Sequence, residues 1–353
     1  MAIPFDNPAI PSGSTVLVTG VNGFLASHIA DQFLRLGYSV IGTVRDAAKN
    51  AWLTRLFDRK YGEGRFELVT VEDIAVDGAY DLAVKGVSSI IHTASIVSFD
   101  LDPNRVVPAA IAFALNALKA AYKQPSVKRF VMLSSSTAAF VPIADTRGAV
   151  VTKDTWNETS VKAAWVDPPY TRDRSWIVYA ASKTQSEQEL WKFHKDNREK
   201  RPDLVLNTVL PTIVFGAALD PMNQGYTSTS RLIFNLWNGT VTEEMAEFFV
   251  DAQDMALLHV AAAIHPDVQE ERLFGFSQPF NWNIILNILR KQNPQRTFPE
   301  DFQAGQDLSE IQPRVRAEQL LRDMGKSGWT SLEESIRMNT KELCEGILED
   351  AKI

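Results

Sequence analysis

Short apolar runs rich in β-branched residues alternate with longer segments of helical period over the first two thirds of the chain. Thr15–Thr19, Ser39–Val44, Phe66–Thr70, Ser88–Thr93, Arg129–Ser134 and Leu204–Leu210 read as strands. Their apolar character is nearly continuous, as it is when a parallel sheet is covered on both faces. Between them apolar residues recur three and four apart, in Ala26, Ile29, Ala30 and Phe33 and again in Ile111, Leu115, Leu118 and Tyr122. The first of these helices is expected to stop at Gly37, a residue suited to a left-handed C-terminal cap. Such alternation predicts an α/β fold, a Rossmann-type doubly wound parallel sheet with right-handed crossovers.

Beyond about Phe215 the regularity breaks down. Helical patterns at Met255–Ile264, Trp282–Lys291, Val315–Met324 and Leu332–Leu348 are mixed with Pro-containing connectors and predict a smaller, mostly helical lobe. The expected division is a sheet domain over 1–214, with contributions from about 250–280, and a smaller interleaved lobe over 215–353. Val141–Ser175, with Pro142, Pro168 and Pro169, is irregular. An irregular stretch of that length carries function or is a surface excursion.

Composition narrows the class. The 353 residues carry a net charge of −7 with no basic run of five, which argues against a nucleic-acid partner. The single cysteine, Cys344, excludes an internal disulfide framework and fits a reducing compartment. The opening "MAIPFDNPAIPSGS" lacks the charged start and apolar core of a signal peptide. No uninterrupted apolar stretch approaches the ~20 residues that span a bilayer. The expectation is a cytoplasmic protein, monomer or homodimer, with a small-molecule partner and neither nucleic acid nor membrane.

Two places carry chemistry. In "VLVTGVNGFLASH", Gly20 and Gly23 follow a strand and precede a helix, and Ala26 takes the third small position. Such a turn lets the backbone approach a pyrophosphate and sets the phosphates against free helix N–H groups. The expected contacts are Thr19, Gly20, Asn22, Gly23, Phe24 and Leu25. At the tip of the second strand stand Thr43 and Val44 instead of the acid that holds an NAD ribose, followed by Arg45, with Lys49 nearby. A guanidinium there can grip a 2′-phosphate, so NADP(H) is the expected cofactor. Asp46 beside it would serve NAD if it turned inward.

The second place is "WIVYAASKTQSE". Tyr179 and Lys183 lie four apart on a helical segment, sharing a face with Ser186 and Leu190, while Ser135 ends the strand "RFVMLS". Carbonyl reduction places negative charge on an oxygen that needs a proton and hydrogen bonds. A neighbouring ammonium lowers the pKa of a tyrosine, and a serine supplies a neutral hydroxyl. No His, Cys or acidic cluster has metal-ligand spacing, so hydride is expected from an organic cofactor. Val97, Phe99, Phe215, Trp237 and Met245 are the apolar candidates for the substrate mouth.

These motifs, with "IIHTASIVSFD", "PSVKRFVMLSSS" and "LPTIVFG", make the chain resemble an extended short-chain dehydrogenase/reductase. Within that superfamily it is similar to the microbial NADPH-dependent aldehyde and ketone reductases grouped with dihydroflavonol reductase. The resemblance implies Ser135, Tyr179 and Lys183 as catalytic groups. It also implies Asp73 and Ile74 near the adenine, Thr93, Ala94 and Ser95 along the cofactor, and Pro211, Ile213 and Val214 beside the nicotinamide. The reaction implied is NADPH-dependent reduction of aldehydes, ketones and keto esters. One departure is Phe113-Ala114, where relatives tend to have Gly-Thr. Two alternatives stand beside this reading: an NAD(P)-dependent nucleotide-sugar epimerase or dehydratase, and a non-catalytic NADP-sensing protein.

Overall fold

The structure, a computed structural model, describes residues 4–95, 99–172, 174–240 and 245–346. In chain order it begins with β1 (Thr15–Thr19), α1 (Phe24–Arg35), β2 (Ser39–Val44), α2 (Trp52–Tyr61), β3 (Phe66–Thr70) and β4 (Ser89–His92). There follow α3 (Pro103–Lys123), β5 (Arg129–Leu133), β6 (Val150–Val151), α4 (Glu158–Ala164), α5 (Arg174–Asn197) and β7 (Val205–Pro211). The remainder supplies β8 (Ile213–Phe215), α6 (Pro221–Gln224), α7 (Ser230–Trp237), β9 (Ala246–Asp251), α8 (Ala252–Ile264), β10 (Arg272–Gly275) and β11 (Gln278–Asn281). Last come α9 (Trp282–Gln292), β12 (Glu310–Ile311), α10 (Arg314–Asp323), α11 (Leu332–Asn339) and α12 (Lys341–Cys344).

Seven strands pair in parallel in the order β3-β2-β1-β4-β5-β7-β10. The six expected strands are all present, and the seventh, β10, is contributed from beyond Phe215. Because β1 pairs with β2 on one side and β4 on the other, the chain winds both ways from it. The carboxyl ends of β1 and β4 therefore form the switch point at which open α/β sheets bind ligands.

Alternation along each strand divides the core. Val16, Val18, Ile91, Val131 and Val209 pack with α1, α2 and α8, and Leu17, Ile90, Phe130 and Met132 pack with α3 and α5. Each fully buried side chain of this kind contributes about 1.5–3 kcal/mol, which is why both faces must be apolar. Helix α3 is long and apolar enough to cross a membrane by length and composition. Its Ala114, Ala117, Leu118 and Ala121 are instead buried against the sheet. Gly42 of β2 is required by a close approach: a Cβ there would lie 2.5 Å from Val21 Cγ1. The glycine lets the turn after β1 lie directly on β2.

A second core fills the part of the chain after β7. Strands β11-β9-β8 form a three-stranded sheet, and Phe215, Ile233, Trp237, Phe249, Phe280 and Ile336 are buried around it. The helix expected over Leu332–Leu348 divides after Asn339. There the Asn339 side chain accepts a hydrogen bond from Gly216 N–H and donates one to the Ser230 carbonyl, fixing the end of α11 inside the core.

Candidate active site

The turn after β1 and the chain leaving β4 meet at one point. Thr19 Oγ1 accepts the Thr93 and Ala94 N–H groups, both at 3.0 Å, and lies 3.1 Å from His92 Nδ1. Gly20 has φ +64°, and a Cβ there would come within 3.3 Å of both Ala94 Cα and Cβ. A side chain at that position would be strained twice over. Helix α1 opens behind Gly23 with no side-chain cap, which leaves its first N–H groups directed into the cleft. This cleft encloses about 740 Å³.

Gly20, Asn22, Gly23, Phe24 and Leu25 line one wall, and Thr93, Ala94 and Ser95 line another. Thr19 is buried behind them, holding the two loops together. Farther along, Thr43, Val44 and Arg45 face Glu72, Asp73 and Ile74. Three backbone carbonyls of this last segment, those of Ile74, Ala75 and Val76, accept from the buried Asn116 side chain. Phe113, one turn earlier on α3, also lines the cleft, so the departure from the family pattern faces the site.

Arg45 is exposed at the tip of β2 and pairs with no carboxylate among the described residues. Asp46 is turned away from the cleft. It accepts the Lys49 N–H at 3.1 Å and pairs with the Lys49 ammonium at 3.6 Å, and the N–H bond first of all holds its carboxyl below the ordinary range. Lys49 is consequently engaged with Asp46 and lies outside the cleft lining. The acid that would serve NAD is occupied locally, and the arginine beside it remains available.

Ser135, Tyr179 and Lys183 come together on the same cleft. Ser135 follows β5 and caps a short turn, with its Oγ accepting from Thr137. Tyr179 and Lys183 lie one turn apart on α5. The Lys183 ammonium donates to Ser95 Oγ at 3.0 Å and lies 5.8 Å from the centre of the Tyr179 ring. Burial raises the Tyr179 phenol above its ordinary value, and the Ser135 hydroxyl acts against that rise. Burial also depresses Lys183 to about 8, opposed by the negative charge of Glu187. His92 beneath the lysine is pushed down to about 3, by burial first and by the lysine's charge second, so it stays neutral.

A buried network supports this trio. Glu187, one turn beyond Lys183, is fully buried and accepts from Ser134 Oγ at 2.6 Å, Thr208 Oγ1 at 2.7 Å and Arg272 Nε at 2.8 Å. The Arg272 guanidinium stacks on Trp156 and donates to the Lys153 and Thr155 carbonyls. One carboxylate thus ties α5 to β5, β7 and β10 beside the serine. Extending the Tyr179–Lys183 spacing by four more residues points to Glu187; nothing local points to Arg272.

The apolar candidates separate. Phe99 is exposed and its ring lies 5.8 Å from that of Tyr179, while Val97 falls outside the described residues. Phe215 is fully buried in the second core, Ile213 and Met245 pack against that core, and Trp237 sits in it between Phe298 and Arg296. The mouth assignment for Phe215, Trp237 and Met245 is therefore not what their positions favour. Neighbours in a strand point to opposite faces, so Val214 lines the cleft with Pro211 and Thr212 while Ile213 and Phe215 face the core. On α7, Ile233, Leu236 and Trp237 share one buried face. Ser228 and Thr229 complete the cleft. The preceding segment is tied across α1 by Gln224 donating to Ser27 Oγ and by His28 bonded to the Ala217 carbonyl.

Residues 16–273 match the NAD dependent epimerase/dehydratase family. The chain is 43% identical over 337 residues to aldehyde reductase 2 of Sporidiobolus salmonicolor, covering 94% of this chain and 96% of that protein. It is 40% identical over 332 residues to the NAD-dependent epimerase/dehydratase terH of Aspergillus terreus, covering 92% and 96%. Among solved structures, Gre2 of Candida albicans in complex with NADPH superposes with a TM-score of 0.82 at 26% identity, over 95% of this chain and 99% of that one.

Proposed function

Because the chain belongs to the NAD dependent epimerase/dehydratase family, we propose that it is a carbonyl reductase of that family, using NADPH to reduce aldehydes, ketones and keto esters to alcohols. The observation that carries this reading is the convergence of Ser135, Tyr179 and Lys183 on the cleft that the glycine turn opens. The likeness to an aldehyde reductase and to a reductase solved with NADPH supports it. We take 1–214, with the returning segment near 250–280, as the cofactor domain, and the rest as the substrate lobe.

The residues present fit a dinucleotide. The Gly20–Gly23 turn and the uncapped start of α1 would receive the pyrophosphate, Asp73 and Ile74 would border the adenine, and Arg45 would take the 2′-phosphate. NADPH supplies the hydride when bound. Ser135 would hold the carbonyl oxygen, Tyr179 would give it a proton, and Lys183 would stabilise the phenolate left behind. The alternative reading, a nucleotide-sugar epimerase or dehydratase, needs cations for its substrate's diphosphate. Arg231 is the one basic residue in 215–250, and it is exposed on α7.

The direct test is NADPH oxidation with ethyl 3-oxobutanoate, followed at the nicotinamide absorbance. Turnover is the expected result; no turnover with any aldehyde or keto ester, but tight NADPH binding, would favour a sensing protein. Arg45→Ala is expected to weaken NADPH binding about tenfold or more, from the ~1.5–3 kcal/mol of a charged hydrogen bond. NADH binding, measured by the same fluorescence titration, should stay nearly unchanged. Equal loss for both cofactors would show that Arg45 does not read the 2′-phosphate.

A further inference from the structure

Ser135 and Tyr179 line one cleft, and two hydroxyls that meet there can bond in either direction. If Tyr179 donates to Ser135, its proton points away from the substrate oxygen. If Ser135 donates, the tyrosine keeps its proton free for transfer. The direction therefore matters to a proton donor, and nothing in the two side chains themselves decides it.

Thr137 decides it. A serine oxygen has one hydrogen and two acceptor positions. Ser135 Oγ accepts the Thr137 N–H at 3.3 Å and the Thr137 Oγ1 hydroxyl at 2.9 Å. With both acceptor positions taken, Ser135 can only donate. The threonine is itself held: its carbonyl accepts the Asn157 side-chain amide at 2.8 Å, and Asn157 N–H donates to the next carbonyl, that of Ala138. Asn157 is buried and also caps α4 through its bond from Ser160 N–H. The irregular stretch after β5 thus anchors the turn that carries Thr137.

We infer that Thr137 is a positioning residue that locks the Ser135 hydroxyl as a donor, toward the substrate oxygen during turnover. This rests on the reading of Ser135 and Tyr179 given above. Thr137 touches no reacting atom; it acts by removing the alternative direction.

The test is a double-mutant cycle. Thr137→Val, Thr137→Ala and Thr137→Ser are compared in the wild-type and Ser135→Ala backgrounds, reading kcat and KM for ethyl 3-oxobutanoate, NADPH Kd and Tm. Loss of one orienting hydrogen bond should lower kcat roughly three- to tenfold, with KM, Kd and Tm little changed. Thr137→Ser should restore the rate, and in the Ser135→Ala background the same changes should cost nothing further. Equal losses in both backgrounds, or a collapse of Tm in both hydroxyl-free variants, would overturn the inference in favour of a structural role. Silent Thr137 variants beside an impaired Ser135→Ala would overturn it while leaving the serine's role intact. A silent Ser135→Ala would remove both.

Discussion

Tyr179→Phe is expected to lower turnover by about 10²–10⁴-fold, the usual contribution of a positioned acid–base group, while NADPH affinity and Tm remain near wild type. The substitution keeps the ring, and with it the contacts to Phe99 and Trp176 whose centres both lie 5.8 Å away. It removes one hydroxyl from a place where Ser135 and Lys183 are already arranged around it. A phenol held neutral by burial is suited to giving a proton to an oxygen that gains charge. Steady-state kinetics with a keto ester, alongside a fluorescence titration of NADPH, separates loss of chemistry from loss of binding. A variant that still works at near-normal rate would reduce Tyr179 and Lys183 to an aromatic–cation pair on a helix.

What the sequence disclosed was local. Strand limits follow from apolar runs that a two-sided parallel sheet imposes, and three of the six strands end where their pattern ends. The glycine turn and the four-residue spacing of Tyr179 and Lys183 are short-range geometry, legible because strand, turn and helix dictate it. The supporting network was not legible in the same way. Arg272 reaches Glu187 from 85 positions away, and only the order of strands places β10 beside β7. Asp46 shows the limit at a single residue: its neighbour Arg45 remains available, yet a rotation about its own side chain decides whether it serves a ribose or Lys49. Three of the apolar candidates, Phe215, Trp237 and Met245, belong to the second core for a related reason. Hydrophobicity marks Phe215 and Trp237 as buried or ligand-facing without distinguishing the two, and in a strand as short as β8 no alternation is long enough to choose a face.

Lys183→Met, which retains most of the stem and removes the charge, should lower turnover at neutral pH by about 10²–10³-fold, on the scale of losing a preorganised electrostatic group. Without the cation the phenolate is less favoured, so the rise of alcohol oxidation with pH should move to more alkaline values. Its signature in the protein without cofactor is a matter of stability. Lys183 is pushed from 10.5 to about 8 by burial, against the opposing charge of Glu187. Below about 8 it is protonated in both folded and unfolded chains, and the folded state carries the full cost of a buried cation. Between about 8 and 10.5 the folded chain releases that proton while the unfolded chain keeps it. The unfolded state then binds more protons, and stability rises with pH. Other titrating groups, such as the half-buried Glu247, raised to about 8 by desolvation first, are common to both proteins and cancel in the difference. Urea unfolding at several pH values should therefore show wild type gaining on Lys183→Met across that window and a flat difference below it. A difference that falls as pH rises would mean that the ammonium is stabilised where it sits, and that Glu187 outweighs the burial of its neighbour.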